Sequence, residues 1–246
     1  MSIWGKLATA TAGLSVRTPI AALLSGHLDH GSHDGKQKLD QRPDNQVAFT
    51  VGVIALSAKM AKADGTVTKD EVYAFKEAFK VSDAEMRQAA RIFNLAKLDV
   101  AGYEAYAKEL VSVFRGNRKL LEDVLEGLFH IAKADEALHS QEDYFLAKVA
   151  ECFGFSDTEF NQIKARHMAS AKRNPYDVLG VKPSVSDEEL KSRYQNLVAN
   201  NQPDELLARG VPEEFIAIAT EKLATINEAY DAICKERTSA ILGKTR

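Results

Sequence analysis

Residues 174–181, Asn-Pro-Tyr-Asp-Val-Leu-Gly-Val, open the part of the chain that decides its fold. The apolar residues of this stretch fit a short helix followed by an apolar contact. A second helix begins at 186–189, Ser-Asp-Glu-Glu, which is a capping box. A long third helix follows after about residue 212. The apolar positions of the last two helices are Leu190, Tyr194, Leu197, Ile216, Ala219, Leu223, Ile226, Ala229, Tyr230 and Ile233. This spacing predicts a packed helical hairpin.

The connection between the second and third helices contains Gln202-Pro203-Asp204 and then an additional stretch, residues 206–214. This addition lengthens the loop, and the helix is expected to restart at Pro212.

The composition is typical of an ordinary soluble globular protein. The chain has 246 residues, of which 45% are hydrophobic and 27% charged, with a net charge of −3. This length fits two domains with their own cores, and the charge excludes a typical nucleic-acid-binding protein. Cys152 and Cys234 lie far apart in apolar helical patterns, so we expect reduced, buried thiols.

Residues 47–173 show helical periodicity throughout, and alternating strand patterns are absent. Helices are predicted at about 69–80, 83–97, 100–115, 118–134, 140–153 and 157–171. A capping box at Thr68 marks the first start, and Ser82 and Ser156 mark two further helix starts with acids in the first turn. We therefore predict an all-α protein.

An internal repeat runs through this helical region. Residues 61–73 match residues 132–144, and residues 79–85 match residues 153–159. Two related helical hairpins packed about a pseudo-two-fold axis are the expected arrangement.

Each copy of the repeat carries an acid before and after a turn. The four acids are Asp64, Glu71, Asp135 and Glu142. An EF-hand is excluded, because Met60 and Lys62 stand at its first two ligand positions. Two interpretations remain: the four carboxylates bind a divalent cation, or each acid ends or caps a helix.

Residues 1–46 are predicted to form an N-terminal arm and linker. No segment reaches the roughly 18 apolar residues that a membrane span requires. An amphipathic turn with Ile3, Trp4, Leu7 and Leu14 would allow a peripheral membrane contact. The linker contains a histidine tract, which is interpreted either as a solvated polar segment or as a metal site, at His27, His30 and His33.

Residues 174–238 resemble a J-domain, the helical hairpin that binds Hsp70-type chaperones. Gln202-Pro203-Asp204 falls where that family carries His-Pro-Asp, and residues 222–230 look like the third J-domain helix. The resemblance implies a DnaK-like Hsp70 partner that contacts Gln202, Pro203 and Asp204 in the loop and Lys191 and Arg193 on the second helix.

This J-like segment departs from the family pattern in the features that face Hsp70. Gln202 replaces the histidine, and Glu205 stands where a lysine is usual. Residues 187–200 carry two basic and three acidic side chains, a net charge of −1. Electrostatic steering toward an acidic Hsp70 surface should therefore be weak.

Residues 47–170 resemble the TerB domain named for tellurite resistance, and in that family such acids are suspected of binding a divalent cation. The order of parts is similar to that of bacterial DnaJ-like inner-membrane co-chaperones. This predicts a cytoplasmic protein, allowing a peripheral position at the inner membrane, with an arm and linker at 1–46, a TerB-like bundle at 47–170, a J-domain at 174–238 and a tail at 239–246.

The leading hypothesis is a co-chaperone adaptor that couples a client- or partner-binding bundle to Hsp70. The alternatives are an Hsp70-independent binding module with a degenerate J-domain, and a divalent-metal-binding stress-response protein. No nucleophile–base set, phosphate-binding loop or zinc-protease motif occurs, so we expect no enzymatic activity.

Overall fold

The structure, a computed structural model, describes residues 3–9, 18–26, 44–64, 69–99, 101–133, 138–169 and 172–244. In these ranges the chain forms thirteen α-helices and no strand, which confirms the predicted all-α class. The histidine tract, Leu14, Thr68 and Asp135 lie outside the described residues.

The helices of the first part of the chain are α1 (Ile3–Thr9), α2 (Pro19–Gly26), α3 (Asn45–Asp64), α4 (Lys69–Ala78), α5 (Asp83–Leu98), α6 (Tyr103–Val113), α7 (Arg118–Ala132), α8 (Ser140–Cys152) and α9 (Asp157–His167). The C-terminal part contains α10 (Pro175–Leu179), α11 (Asp187–Asn200), α12 (Pro203–Arg209), a 3-10 turn (Glu213–Phe215) and α13 (Ile216–Lys244).

Two equivalent helix junctions show the repeat in the backbone geometry. Ser82 and Ser156 both form complete capping boxes at the starts of α5 and α9. The residue two positions before each serine is left-handed: Lys80 has φ 45° and Gly154 has φ 82°. Glycine adopts this conformation without steric cost, whereas a lysine does not. The two copies therefore keep the same turn even where the residue type differs.

Helix α3 lies at the centre of the first hydrophobic core and packs against α5, α6, α7 and α8. All of its residues from 47 to 61 are buried, which is why it is largely apolar on every face. At Gly52 an added Cβ would come within 2.7 Å of the Leu110 side chain, so this glycine permits close approach of α3 and α6.

The described part of the N-terminal region, helices α1 and α2, packs into the bundle core and does not form the membrane-facing arm that the sequence suggested. Ile3, Trp4 and Leu7 of α1 are only 2%, 2% and 1% exposed, because they pack into the same core as α3. Ile20 and Leu24 of α2 are fully buried there as well. Since these side chains are already covered by protein, the predicted peripheral contact through Ile3, Trp4 and Leu7 has no exposed apolar group to use.

The C-terminal hairpin has a second core of its own, between α10, α11 and α13. Asn174 caps α10, and Gly180 ends it with φ 66°. Leu179, Leu190, Ile226 and Ile233 are among its buried residues, and the rings of Tyr194 and Tyr230 stack 4.1 Å apart. Helix α13 continues to Lys244, so it extends into the segment predicted as a tail.

The segment between α11 and α13, here called the loop insert (residues 203–215), belongs to the first core rather than to the hairpin core. Its Leu206, Val211 and Phe215 are buried among residues of the bundle. The Phe215 ring contacts the rings of Phe49 and Phe79, with centroids 4.9 and 5.6 Å away. The hairpin is therefore joined to the bundle through its own loop.

Candidate functional site

The candidate Hsp70-binding loop lies at the end of α11, where the hairpin leaves its own core. Gln202, Pro203 and Asp204 are all exposed. Gln202 precedes α12 at the N-cap position, and Pro203 is the first helical residue, where its missing N–H costs nothing. The Gln202 amide Nε2 donates to the Val198 carbonyl at 3.3 Å. The Gln202 side chain thus bonds back to α11, while the tripeptide itself is exposed to solvent.

The two basic residues predicted on α11 differ in their surroundings. Lys191 is exposed, whereas Arg193 is half-buried and donates through Nε to the Leu179 carbonyl at 2.9 Å. Burial lowers the pKa of Arg193, and the nearby Arg166 lowers it further. Arg193 thus ties α11 to α10, and Lys191 is the more accessible of the two charges.

A group of charged side chains, here called the interdomain charge cluster, joins the bundle to the hairpin. It consists of Glu122, Asp123 and Glu126 of α7, Arg166 of α9, Arg209 of α12 and Lys222 of α13. Three acids thus meet three bases. The bundle contributes all three carboxylates, while the hairpin contributes Arg209 and Lys222, so the attraction acts across the domain boundary.

Short contacts hold this cluster together. Arg166 Nη1 lies 2.6 Å from Glu122 Oε1 and 2.7 Å from Glu126 Oε1. Lys222 Nζ lies 3.2 and 2.9 Å from the same two oxygens. Only 3% of the Arg166 side chain and 3% of the Glu126 side chain are exposed. Buried charges at such distances require each other, because an unpaired one would be strongly disfavoured.

The pKa values of the carboxyls reflect these partners. Burial raises the pKa of Glu126, but Lys222, His167 and Arg166 hold it well below its usual range. For Glu122, Lys222 and Arg166 outweigh burial and lower the pKa to about 2. Burial dominates at Asp123 and raises its pKa to about 6 despite Lys222 and Arg209. At neutral pH all three are therefore ionised.

Two largely buried histidines border the cluster. His167 Nε2 lies 2.5 Å from Glu126 Oε2, and burial lowers the pKa of His167 despite this carboxylate. His130 Nδ1 lies 3.7 Å from Glu221 Oε2 of α13, and burial lowers the pKa of His130 to about 4. A proton on either ring would add positive charge to a buried region.

Of the four acids proposed from the sequence as metal ligands, only Glu142 has a described side chain. Asp64 is the last residue of α3, and Glu71 lies in the first turn of α4. Glu142 is 3% exposed, and its Oε2 accepts the His139 backbone N–H at 2.9 Å. Glu142 thus serves as a helix cap, and no group of three potential ligands occurs in the part of the chain that is described.

The cleft at the start of α8, lined in part by Ser140 and Gln141, does not suit a cation. Its volume is about 520 Å³, and its lining includes Lys59, Lys62 and Lys148 together with Tyr103 and Tyr144. Three ammonium groups would repel a divalent cation. The residues whose side chains are described therefore do not fit a metal site, and no chemical step is assigned to a metal.

An apolar cavity of about 140 Å³ lies between α3, α4, α5 and α7. Met60, Phe75, Met86 and Phe93 contribute to its wall. The only described polar atom in its lining that is buried without a hydrogen-bond partner is Ser57 Oγ. The cavity has about the size of one large apolar side chain.

Comparison with known proteins matches two family models to this arrangement. Residues 50–165 match the family described as tellurite resistance protein TerB, and residues 174–241 match the DnaJ domain. The co-chaperone protein DjlA of Coxiella burnetii is 30% identical over 199 residues, which cover 73% of this chain and 74% of the relative. The chain belongs to the DjlA co-chaperone family.

Two further DjlA proteins match almost end to end. Those of Photobacterium profundum and Escherichia coli K12 are 27% and 25% identical, and each alignment covers 96% of this chain and 99% of the relative. No solved structure matches the chain. Within the described residues, no helix has the length and apolar character needed to span a bilayer.

Several residues at this DjlA-type site were not predicted from the sequence. Arg209, Asp123 and Phe215 tie the loop insert to the bundle, yet none was singled out as a candidate. The available signal was the insert itself, since Leu206, Val211 and Phe215 are more apolar than an exposed loop requires.

Proposed function

We propose that this protein is a J-type adaptor that couples a client or partner of the TerB-like bundle to a DnaK-like Hsp70 chaperone. Gln202, Pro203 and Asp204 would contact Hsp70 together with Lys191, and Arg193 would contribute as a more buried charge. The observation that carries the proposal is the exposed tripeptide at the end of α11, on a hairpin whose core is complete.

The chemistry of the loop supports a working contact of reduced strength. The Gln202 amide can donate and accept hydrogen bonds, but it lacks the ring and the cationic form of a histidine. Asp204 remains exposed and supplies the carboxylate. With a net charge of −1 on residues 187–200, association with an acidic surface gains little from steering.

A competing function is an Hsp70-independent binding module that keeps only the J-domain fold. The departures of Gln202 and Glu205 from the J-domain pattern also favour this function, because both residues lie on the exposed loop rather than in the core. The two functions share one structure and differ only in what this loop surface recognises.

Steady-state ATP hydrolysis by a DnaK-like Hsp70 separates these functions. Saturable stimulation by the wild-type protein supports the adaptor. Stimulation that appears only with Gln202→His shows that the rest of the surface is competent and that the tripeptide alone limits activity. No stimulation by either protein contradicts the adaptor and favours the binding module.

For the client, the bundle offers the apolar cavity between α3, α4, α5 and α7. Val72, which contributes to its lining, is 45% exposed. We assign the cavity one apolar side chain of an extended client segment, because its volume of about 140 Å³ is too small for a folded element. Crosslinking of a photoreactive Leu- or Phe-containing peptide, weakened by Ala90→Trp at the cavity wall, tests this assignment.

A further inference from the structure

The loop insert places the two ends of the tripeptide against the bundle. Before the tripeptide, the Asn200 side-chain oxygen accepts from Lys119 Nζ of α7 at 2.5 Å. After it, Leu206 is 1% exposed and lies in the bundle core. The loop is therefore anchored on both sides by residues outside the hairpin.

Arg209 closes this arrangement. Its Nε and Nη2 donate to Asp123 Oδ2 and Oδ1 at 2.7 and 3.3 Å, and its Nη1 donates to the Asn200 carbonyl at 2.8 Å. One guanidinium thus bridges helix α7 and the last turn of α11. The planar fork of arginine suits this double role, whereas a lysine ammonium could not span both acceptors with the same geometry.

The other side of the insert is fixed by the start of the chain and by α3. Glu214 Oε1 accepts the Ile3 backbone N–H at 3.0 Å, and Gln46 Nε2 donates to the Val211 carbonyl at 3.3 Å. Phe215 fills the space above Gly127, where an added Cβ would lie 2.5 Å from its ring. The backbone behind the tripeptide is therefore held on several sides, while the tripeptide itself stays exposed.

We infer that Arg209 and Asp123 are positioning residues through which the TerB-like bundle presents the Gln202-Pro203-Asp204 loop to Hsp70. This inference rests on the proposed adaptor function. A loop held in its binding conformation avoids the ordering cost on association, so the bundle sets the affinity of the J-domain without touching Hsp70. A change that displaces Asp123 on α7 would then alter Hsp70 coupling.

The test uses the full-length protein with Arg209→Gln and the conservative Arg209→Lys. The expected result for Arg209→Gln is an increase of about three- to tenfold in the concentration that gives half-maximal Hsp70 stimulation, with the plateau unchanged. The half-maximal concentration for Arg209→Lys should lie between those of the wild type and Arg209→Gln, because lysine keeps the charge opposite Asp123 but lacks the forked guanidinium. Hydrogen exchange of the backbone amides of residues 201, 202 and 204–208 should become faster in the same order.

Arg118→Gln is the matched control. Arg118 is also on α7 and also makes a fork-like contact, 2.6 Å from Glu159 Oε1 and 2.8 Å from the Gly154 carbonyl, but within the bundle. This variant should leave both the half-maximal concentration and the exchange of residues 201–208 unchanged.

Three results would overturn the inference while leaving the adaptor function in place. The first is unchanged exchange in Arg209→Gln, and the second is faster exchange with an unchanged half-maximal concentration. The third is an equal shift in Arg118→Gln. A lack of stimulation by both the wild type and Gln202→His instead contradicts the adaptor function, and the exchange measurement then decides by itself whether Arg209 holds the loop.

Discussion

The guanidinium of Arg209 and the carboxylate of Asp123 form a two-bond contact across the domain boundary, with Nε 2.7 Å from Oδ2 and Nη2 3.3 Å from Oδ1. Asp123 lies in the TerB-like bundle and Arg209 in the loop of the J-domain. The two family matches end and begin at residues 165 and 174, as for separate domains. The contact instead joins the two domains at the loop that carries Gln202-Pro203-Asp204.

Phe215 is expected to be the main apolar anchor of this junction. Phe215→Ala should destabilise the protein by about 3–5 kcal/mol, because it empties a site that is 2% exposed and lined by Phe49, Phe79 and Gly127. Chemical denaturation measures the change. Leu207→Ala in the same insert is the control, since Leu207 is 38% exposed and should change stability by less than about 0.5 kcal/mol. Equal losses in both variants would contradict the anchoring role.

The sequence predicted the helices and the hairpin well because these depend on local signals. The capping boxes at Ser82, Ser156 and Ser186 are present, and the helices begin within about three residues of their predicted positions. The backbone repeat at Lys80 and Gly154 also follows from the matching segments.

What the sequence did not predict depends on contacts between distant segments. Glu126, Arg166 and Lys222 lie on three helices and look like ordinary solvated charges until the fold places them together. Ile3 and Trp4 lie in a short helix that has no distinctive core pattern in the sequence. Only the packing of this helix against α3 shows that they are core residues. Of the four candidate metal ligands, only Glu142 has a described side chain, and it caps its own helix.

Removing one charge from the interdomain charge cluster should be costly. Glu126→Gln leaves Arg166 and Lys222 buried with one carboxylate fewer, so we expect a loss of about 3–5 kcal/mol in the free energy of unfolding. Glu213→Gln is the control, because Glu213 is exposed at the loop insert. A Glu126→Gln protein as stable as the control would show that the cluster does not hold the domains together.

His130 is expected to make the protein sensitive to acid. Burial lowers its pKa from 6.5 to about 4 in the folded state, with Glu221 opposing the shift and Lys133 and His167 adding to it. The unfolded chain therefore binds the proton first, and the stability present above pH 6.5 is lost as the pH falls toward 4. Between about pH 7 and about pH 5 this group alone should lower the free energy of unfolding by about 2 kcal/mol.

The comparison of His130→Gln with the wild type isolates this contribution. Asp123 acts in the opposite direction, because its raised pKa of about 6 makes the folded state bind a proton more tightly below that pH. Because His130→Gln removes the titrating imidazole and keeps Asp123, the variant should lose less stability on acidification than the wild type, as measured by denaturation at each pH. Parallel losses in the two proteins would exclude His130 as the source.

Charge reversal at the loop should strengthen Hsp70 coupling. Glu205 is exposed next to the tripeptide, and the J-domain resemblance implies an acidic surface on the partner. Glu205→Lys should lower the half-maximal concentration for Hsp70 stimulation by about two- to tenfold at low salt, and the gain should shrink as salt screens it. Glu236→Lys on the distal part of α13 is the control. A gain that is equal in both variants, or insensitive to salt, would contradict a local electrostatic contact.

The most direct measurement is the ATPase stimulation of a DnaK-like Hsp70 by the wild-type protein and by Asp204→Asn. Asp204 is exposed, so its substitution should leave the fold intact while removing the carboxylate of the tripeptide. The adaptor account predicts saturable stimulation by the wild type, loss of nearly all of it in Asp204→Asn, and equal melting temperatures for the two proteins. Stimulation that survives in Asp204→Asn would contradict the account.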